Sequence, residues 1–182
     1  MDIDLEIKTP RLYLRPISME DLDRVYECSS NPEIPKYMSW NPHENKEETR
    51  TLITRLMEEI ANDKSYTWSI FYEERFCGIF SLIAVTRTHR ALTYNRAELA
   101  YWLDPEYQKK GIMTESGDAI INYAFNNLNI HRLVVSHVSE NESSEKLIKR
   151  LKFRYIGEEY EAFCKNGVWH NHKLYERIGD VR

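Results

Sequence analysis

At 182 residues the chain is long enough for one domain, residues 1–182, and 42% apolar with 30% charged residues is an ordinary globular composition. The net charge of −4 argues against a general nucleic-acid binder. Cys28, Cys77 and Cys164 are too widely spaced for a disulfide framework or a zinc-ligand set, and no apolar run approaches the ~18–20 residues of a membrane span. The acidic start, Met1-Asp2-Ile3-Asp4, lacks the basic and apolar regions of a signal peptide, so the cytosol is the expected location.

Residues 5–16 read as a strand, with Leu12 and Leu14 on one face and Tyr13 on the other. Ser18 then offers an N-cap to a helix carrying Leu22, Val25 and Tyr26, which stops near Asn31-Pro32. Residues 32–42 are a loop bearing Tyr37, Met38 and Trp40, either a hydrophobic plug or one wall of a substrate pocket. Asn45 and Glu48 resemble a capping box for a second helix, with Leu52, Ile53, Leu56, Met57 and Ile60 at helical spacing.

Residues 66–72 and 76–85 are rich in aromatic and β-branched residues and predict an antiparallel hairpin, with Gly78 at a bulge or close approach. Residues 86–95 predict a polar, solvated loop, and 96–103 a further strand. From Met113 the apolar positions Ile120, Ile121, Ala124, Phe125 and Leu128 follow the helical period, with Gly117 on the same face. A strand at 132–138 and a short helix capped by Asn141 come next. A last hairpin, 153–163 with 168–178, turns on Asn166-Gly167. This order predicts an α+β fold with a mostly antiparallel sheet and one crossover between residues 96 and 138.

The stretch from Glu98 to Ser116 carries the chemistry. An apolar strand ends at Asp104-Pro105, a basic loop Gln108-Lys109-Lys110-Gly111 follows, and a helix begins at Ile112-Met113-Thr114. Free N–H groups and the dipole of a helix start favour a phosphate there. The spacing matches neither a dinucleotide fingerprint nor a P-loop.

Gln-x-x-Gly after Tyr101-Trp102-Leu103-Asp104-Pro105 resembles the pyrophosphate motif of the GNAT N-acetyltransferases. Thr9-Pro10-Arg11-Leu12-Tyr13-Leu14-Arg15-Pro16 and Asn141-Glu142-Ser143-Ser144 resemble two further signatures of the branch that acetylates ribosomal-protein N-termini. The resemblance covers nearly the whole chain. It implies the GNAT fold, a mostly antiparallel seven-stranded sheet with splayed central parallel strands and about four helices. It implies acetyl-CoA as co-substrate, with no metal. The N–H groups of Gln108, Lys109, Lys110, Gly111, Ile112, Met113 and Thr114 would hold the pyrophosphate. The strand edge at Tyr101, Trp102 and Leu103 would bind the pantetheine arm, with Asn141 beside it. Ser144 would serve as acid for the leaving thiolate.

Glu98, a carboxylate mid-strand, is either a polar residue on an exposed sheet face or, as the resemblance implies, the candidate base for the acceptor amine. In the ribosomal branch a glutamate near the final hairpin has also been given that role; Phe163 falls there in this chain, with Glu161 nearby. Two departures stand out: Met113 replaces a Gly or Ala of the phosphate motif, and Lys152 replaces the Gly of a Leu-Gly-Phe turn, where positive φ is expected. His170 and His172 read as surface histidines on one strand face. The expected acceptor is a ribosomal-protein N-terminal amine. The alternatives are a small amine, such as a polyamine or an aminoglycoside-type antibiotic, and a CoA-binding module without turnover. Neither membrane nor nucleic acid is expected as a partner; the final hairpin and the aromatic loop are the surfaces available to a homo-oligomer.

Overall fold

The computed structural model describes residues 4–179, so most of the acidic N-terminal stretch read above lies outside the described residues. The elements in chain order are β1 (Ile7–Lys8), β2 (Leu12–Pro16), α1 (Leu22–Ser29), α2 (Lys46–Ala61), β3 (Tyr66–Tyr72), β4 (Arg75–His89) and β5 (Leu92–Leu103). There follow α3 (Ile112–Asn126), β6 (Arg132–Val138), α4 (Glu142–Arg150), β7 (Arg154–Lys165) and β8 (Val168–Ile178). They form one sheet in the order β1-β2-β3-β4-β5-β6-β8-β7. Among the described residues only β5 and β6 pair parallel.

The sheet has eight strands rather than seven because the first strand divides. Pro10 has no N–H for a ladder bond, and Thr9 folds a turn there, its N–H donating to the Leu12 carbonyl at 2.9 Å. A second difference lies at residues 86–95. The expected loop is a continuation of the β4–β5 hairpin, with Thr88 opposite Thr93 and His89 opposite Leu92. Residues 88–94 are exposed, so both faces are wet and polarity there says nothing against a strand. Gly78 behaves as expected. The β3–β4 register shifts beside it, and a Cβ there would stand 2.5 Å from the Trp102 carbonyl oxygen.

Helices cover both faces. Beneath α3 and α4 lies the larger core, with Leu14, Trp68, Ile70, Phe80, Leu82, Leu133 and Ile148 among its members. Beneath α1 and α2 lies a smaller one, with Ile17, Val25, Ile53, Phe76 and Ile79. Each fully buried Leu or Ile contributes roughly 1.5–3 kcal/mol. Gly117 lets α3 approach α4, since a Cβ would meet Leu151 Cδ1 at 2.9 Å. Buried Asp21 joins strands to α1: its carboxylate accepts from Arg15 Nη2 at 2.7 Å, the Ser69 hydroxyl at 2.7 Å and the Ser18 N–H at 3.0 Å. Lys152 adopts the left-handed conformation, φ 61°, that the missing glycine would have supplied.

Candidate active site

Strands β5 and β6 pair only through Arg96, Ala97 and Glu98 with Arg132, Leu133 and Val134. Beyond that point β5 runs on to Leu103 and β6 to Val138 without further pairing between them. The facing edges are thereby left open to a ligand, and Glu98 stands at the vertex of the opening. Strand alternation divides the residues of β5. Tyr101 and Leu103 pack on the α3–α4 core with Ala97 and Leu99, whereas Trp102 packs on the α1–α2 core. Glu98 and Ala100 share the face of Trp102.

At the end of β5, the Asp104 carboxylate caps a short turn, Pro105–Tyr107, by accepting the Glu106 N–H at 3.0 Å. Lys109 and Gly111 both take positive φ, 61° and 76°, and Gly111 is the N-cap of α3. The Gln108 N–H turns back to the Pro105 carbonyl at 3.2 Å. The run of free donors therefore begins at Lys109, one residue later than the motif implied. Among the described residues, the N–H groups of Lys109, Lys110, Gly111, Ile112, Met113 and Thr114 find no backbone acceptor. Ile112 is buried, and half-buried Met113 packs against the core, so both side chains leave the donors uncovered.

This loop is held from outside by residues of the N-terminal signature. Glu115, in the first turn of α3, accepts from the Thr9 hydroxyl at 2.6 Å, the Arg11 N–H at 3.1 Å and Arg11 Nε at 2.7 Å. Arg11 Nη1 then donates to the Lys110 carbonyl at 3.1 Å. Burial would push the Glu115 carboxyl up, but the hydrogen bonds from Thr9 and Arg11 outweigh it and hold it below its ordinary value. Lys110 Nζ lies over the Tyr107 ring, 5.0 Å from its centroid.

Across the opening, Asn141 caps α4, its Oδ1 accepting the Ser144 N–H at 3.1 Å. The Ser144 hydroxyl lies 2.8 Å from the Tyr101 hydroxyl. Burial pushes the Tyr101 phenol up to about 12, despite the hydrogen bond to Ser144, so it keeps its proton at neutral pH. In the sequence Tyr101 is only part of a strand edge; its hydroxyl partner is 43 residues away in the chain, and only the fold reveals it. A pair of hydrogen-bonded hydroxyls thus stands on the α4 side of the sheet, and by strand alternation the Glu98 carboxylate belongs to the opposite face.

On that opposite face stand the final hairpin and the aromatic loop. His170 and His172 share a strand face as expected, but they are half-buried rather than surface residues, with ring centroids 5.3 and 4.7 Å from that of Phe163. Burial holds His172 below its ordinary pKa against the opposing charges of Glu159 and Glu98. Glu161 is exposed at a register shift in β7. The Lys165 ammonium donates to the main-chain carbonyls of Pro35, Met38 (2.7 Å) and Trp40 (3.0 Å). The sequence carried no signal for that contact. Among the described residues no three His, Cys, Asp or Glu side chains gather as a metal site would need, and no helix is long and apolar enough to cross a membrane.

The family described as "Acetyltransferase (GNAT) domain" matches residues 11–154. Escherichia coli (strain K12) spermidine N(1)-acetyltransferase is 28% identical over 158 residues, covering 87% of this chain and 81% of that protein. The putative ribosomal N-acetyltransferase YdaF of Bacillus subtilis (strain 168) is 25% identical over 169 residues, covering 91% and 90%. Among solved structures, RimL, a ribosomal L7/L12 alpha-N-protein acetyltransferase in complex with coenzyme A, superposes with a TM-score of 0.88 at 24% identity, covering 96% of this chain and 98% of that one.

Proposed function

The chain belongs to the GNAT acetyltransferases and transfers acetyl from acetyl-CoA to an amine, and from that premise we propose that its acceptor is the N-terminal amine of a ribosomal protein. The observation that carries the mechanism is the division of the opening between β5 and β6. The Ser144–Tyr101 hydroxyl pair, 2.8 Å apart, belongs to one face and Glu98, where the parallel pairing stops, to the other.

In this reading the pyrophosphate of acetyl-CoA takes the free N–H groups from Lys109 to Thr114, beside the Gln108 side chain. The pantetheine amides pair with the β5 edge at Tyr101, Trp102 and Leu103, like an added strand. The Asn141 amide, whose oxygen is engaged in capping, offers its N–H donors to the same arm. The acceptor amine enters from the α1–α2 face and gives its proton to Glu98, since only the neutral amine attacks. Its nitrogen bonds to the thioester carbon, the carbon–sulfur bond breaks, and the surplus proton on the nitrogen leaves with the sulfur, giving the acetylated amine and the free CoA thiol. The Tyr101 hydroxyl donates to Ser144, which donates to the departing sulfur. A thiol pKa near ~8.5 makes the thiolate a fair leaving group, so this pair assists rather than dictates the step.

An extended N-terminal peptide has backbone donors and acceptors to offer the open edges, and the likeness to YdaF adds to that reading. The 28% identity with a spermidine acetyltransferase favours a second reading, a linear polyamine acceptor. Intact-mass spectrometry of ribosomal proteins from a deletion strain beside its parent tests the choice. A loss of about 42 Da from one protein is the expected result; unchanged masses for all, with spermidine acetylated in vitro, would establish the second reading instead.

A further inference from the structure

The Lys165 ammonium is half-buried at the tip of the β7–β8 hairpin, and three neutral carbonyls surround it. An ammonium has three donors and no acceptor, so Pro35, Met38 and Trp40 satisfy it completely. Its burial pushes its pKa down, and the three carbonyl dipoles favour the charged form. These contacts join parts of the chain 125 to 130 residues apart.

The loop so fastened spans the face from which the acceptor arrives. At one end Ile34 packs on the cluster that also holds Trp102 of β5. At the other, Lys165 ties the loop to β7, the far edge of the sheet beyond β6 and β8. The loop therefore bridges the α1–α2 side of the opening between β5 and β6. Phe163 shares the β7 face of Lys165, its ring lies against those of His170 and His172, and Glu98, Glu140 and Glu159 supply the charges; Glu140 Oε1 is 3.6 Å from His170 Nδ1.

We propose that Lys165 is a specificity-determining residue. By clamping the carbonyls of Pro35, Met38 and Trp40 to the final hairpin, it fixes the width of the mouth through which the acceptor amine reaches Glu98. The lysine acts on the acceptor through the loop and takes no part in bond making. The inference rests on the acceptor face assigned above, and its test separates the two. Lys165→Met keeps the length of the stem and removes the donors; Lys165→Gln is the milder variant should the first fail to fold.

The measurements are kcat, KM for peptides beginning with Ser or Ala and for spermidine, acetyl-CoA affinity by calorimetry, and hydrogen exchange at the amides of Ile34 and Met38. Those two amides are bonded to the Asn31 and Pro35 carbonyls in the folded loop, so their exchange reports its fastening. The expected result is a KM at least tenfold higher for the preferred acceptor, a changed peptide-to-spermidine ratio, acetyl-CoA affinity within twofold of the parent, and exchange at least tenfold faster. KM and selectivity within twofold of the parent, even with lower thermal stability, would overturn the proposal. A parent enzyme inactive on every acceptor would overturn the acceptor reading; exchange unchanged by the substitution would then still overturn the clamp.

Discussion

The two sides of the opening between β5 and β6 are built differently. The side proposed for the cofactor is made of consecutive residues, Lys109 to Thr114, and braced by one carboxylate, Glu115, tied to Thr9 and Arg11. The side proposed for the acceptor is assembled from segments far apart in the chain: Glu98 on β5, the histidines and Phe163 on the last hairpin, and a loop from the first quarter held by Lys165. A site that must bind the same pyrophosphate in every turnover is served by a fixed local motif. A site that selects among amines is served by loops whose relative position one contact can alter.

Substitutions that strike one side alone put this division to the test. Glu98→Gln removes the proposed base and should lower kcat by roughly 10²-fold or more while leaving acetyl-CoA affinity unchanged by calorimetry. Equal losses in both would break the division. Gly78→Ala strikes the shared wall. The added Cβ, 2.5 Å from the Trp102 carbonyl oxygen, should cost about 1–3 kcal/mol in denaturant unfolding and weaken cofactor binding together with acceptor turnover.

Glu115→Gln strikes the cofactor side. It should raise the acetyl-CoA Kd by about tenfold with acceptor KM unchanged, since it loosens the brace on Lys110. It also carries a pH signature. Because the folded pKa of Glu115 is depressed, its stabilisation is fully present above the unfolded value near ~4.3 and is lost as pH falls through the folded one. The Tm gap between parent and variant should therefore close in acid. Lys152→Gly lies outside both sides and should have the smallest effect, a gain of about 1 kcal/mol and an acetyl-CoA affinity unchanged. Relief of the left-handed conformation at φ 61° is partly offset by a more flexible unfolded chain.

The same division separates what was legible in the sequence from what was not. The glycine loop, the Asn141 cap, the Gly78 close approach and the alternation of Leu12, Tyr13 and Leu14 were legible because each is a signal between near neighbours in the chain. The β4–β5 extension was not, since a strand wet on both faces has no apolar alternation to betray it. His170 and His172 were misread because their cover, Phe163, lies across a hairpin whose register shifts between Glu159 and Phe163. The Lys165 clamp was beyond reach of any pattern, because main-chain carbonyls have no sequence signature. The purpose of the Thr9-Pro10-Arg11 signature emerged only when the fold set it against Glu115.

The paired hydroxyls of Tyr101 and Ser144 are tested most directly by kcat and acetyl-CoA affinity in Tyr101→Phe, Ser144→Ala and the double variant. If the two act as one proton-donating unit, each single substitution lowers kcat by roughly ten- to a hundredfold, the double variant loses little more than Ser144→Ala, and calorimetric affinity for acetyl-CoA stays within about threefold. Parent-level kcat in the double variant, or losses that simply multiply, would contradict that reading.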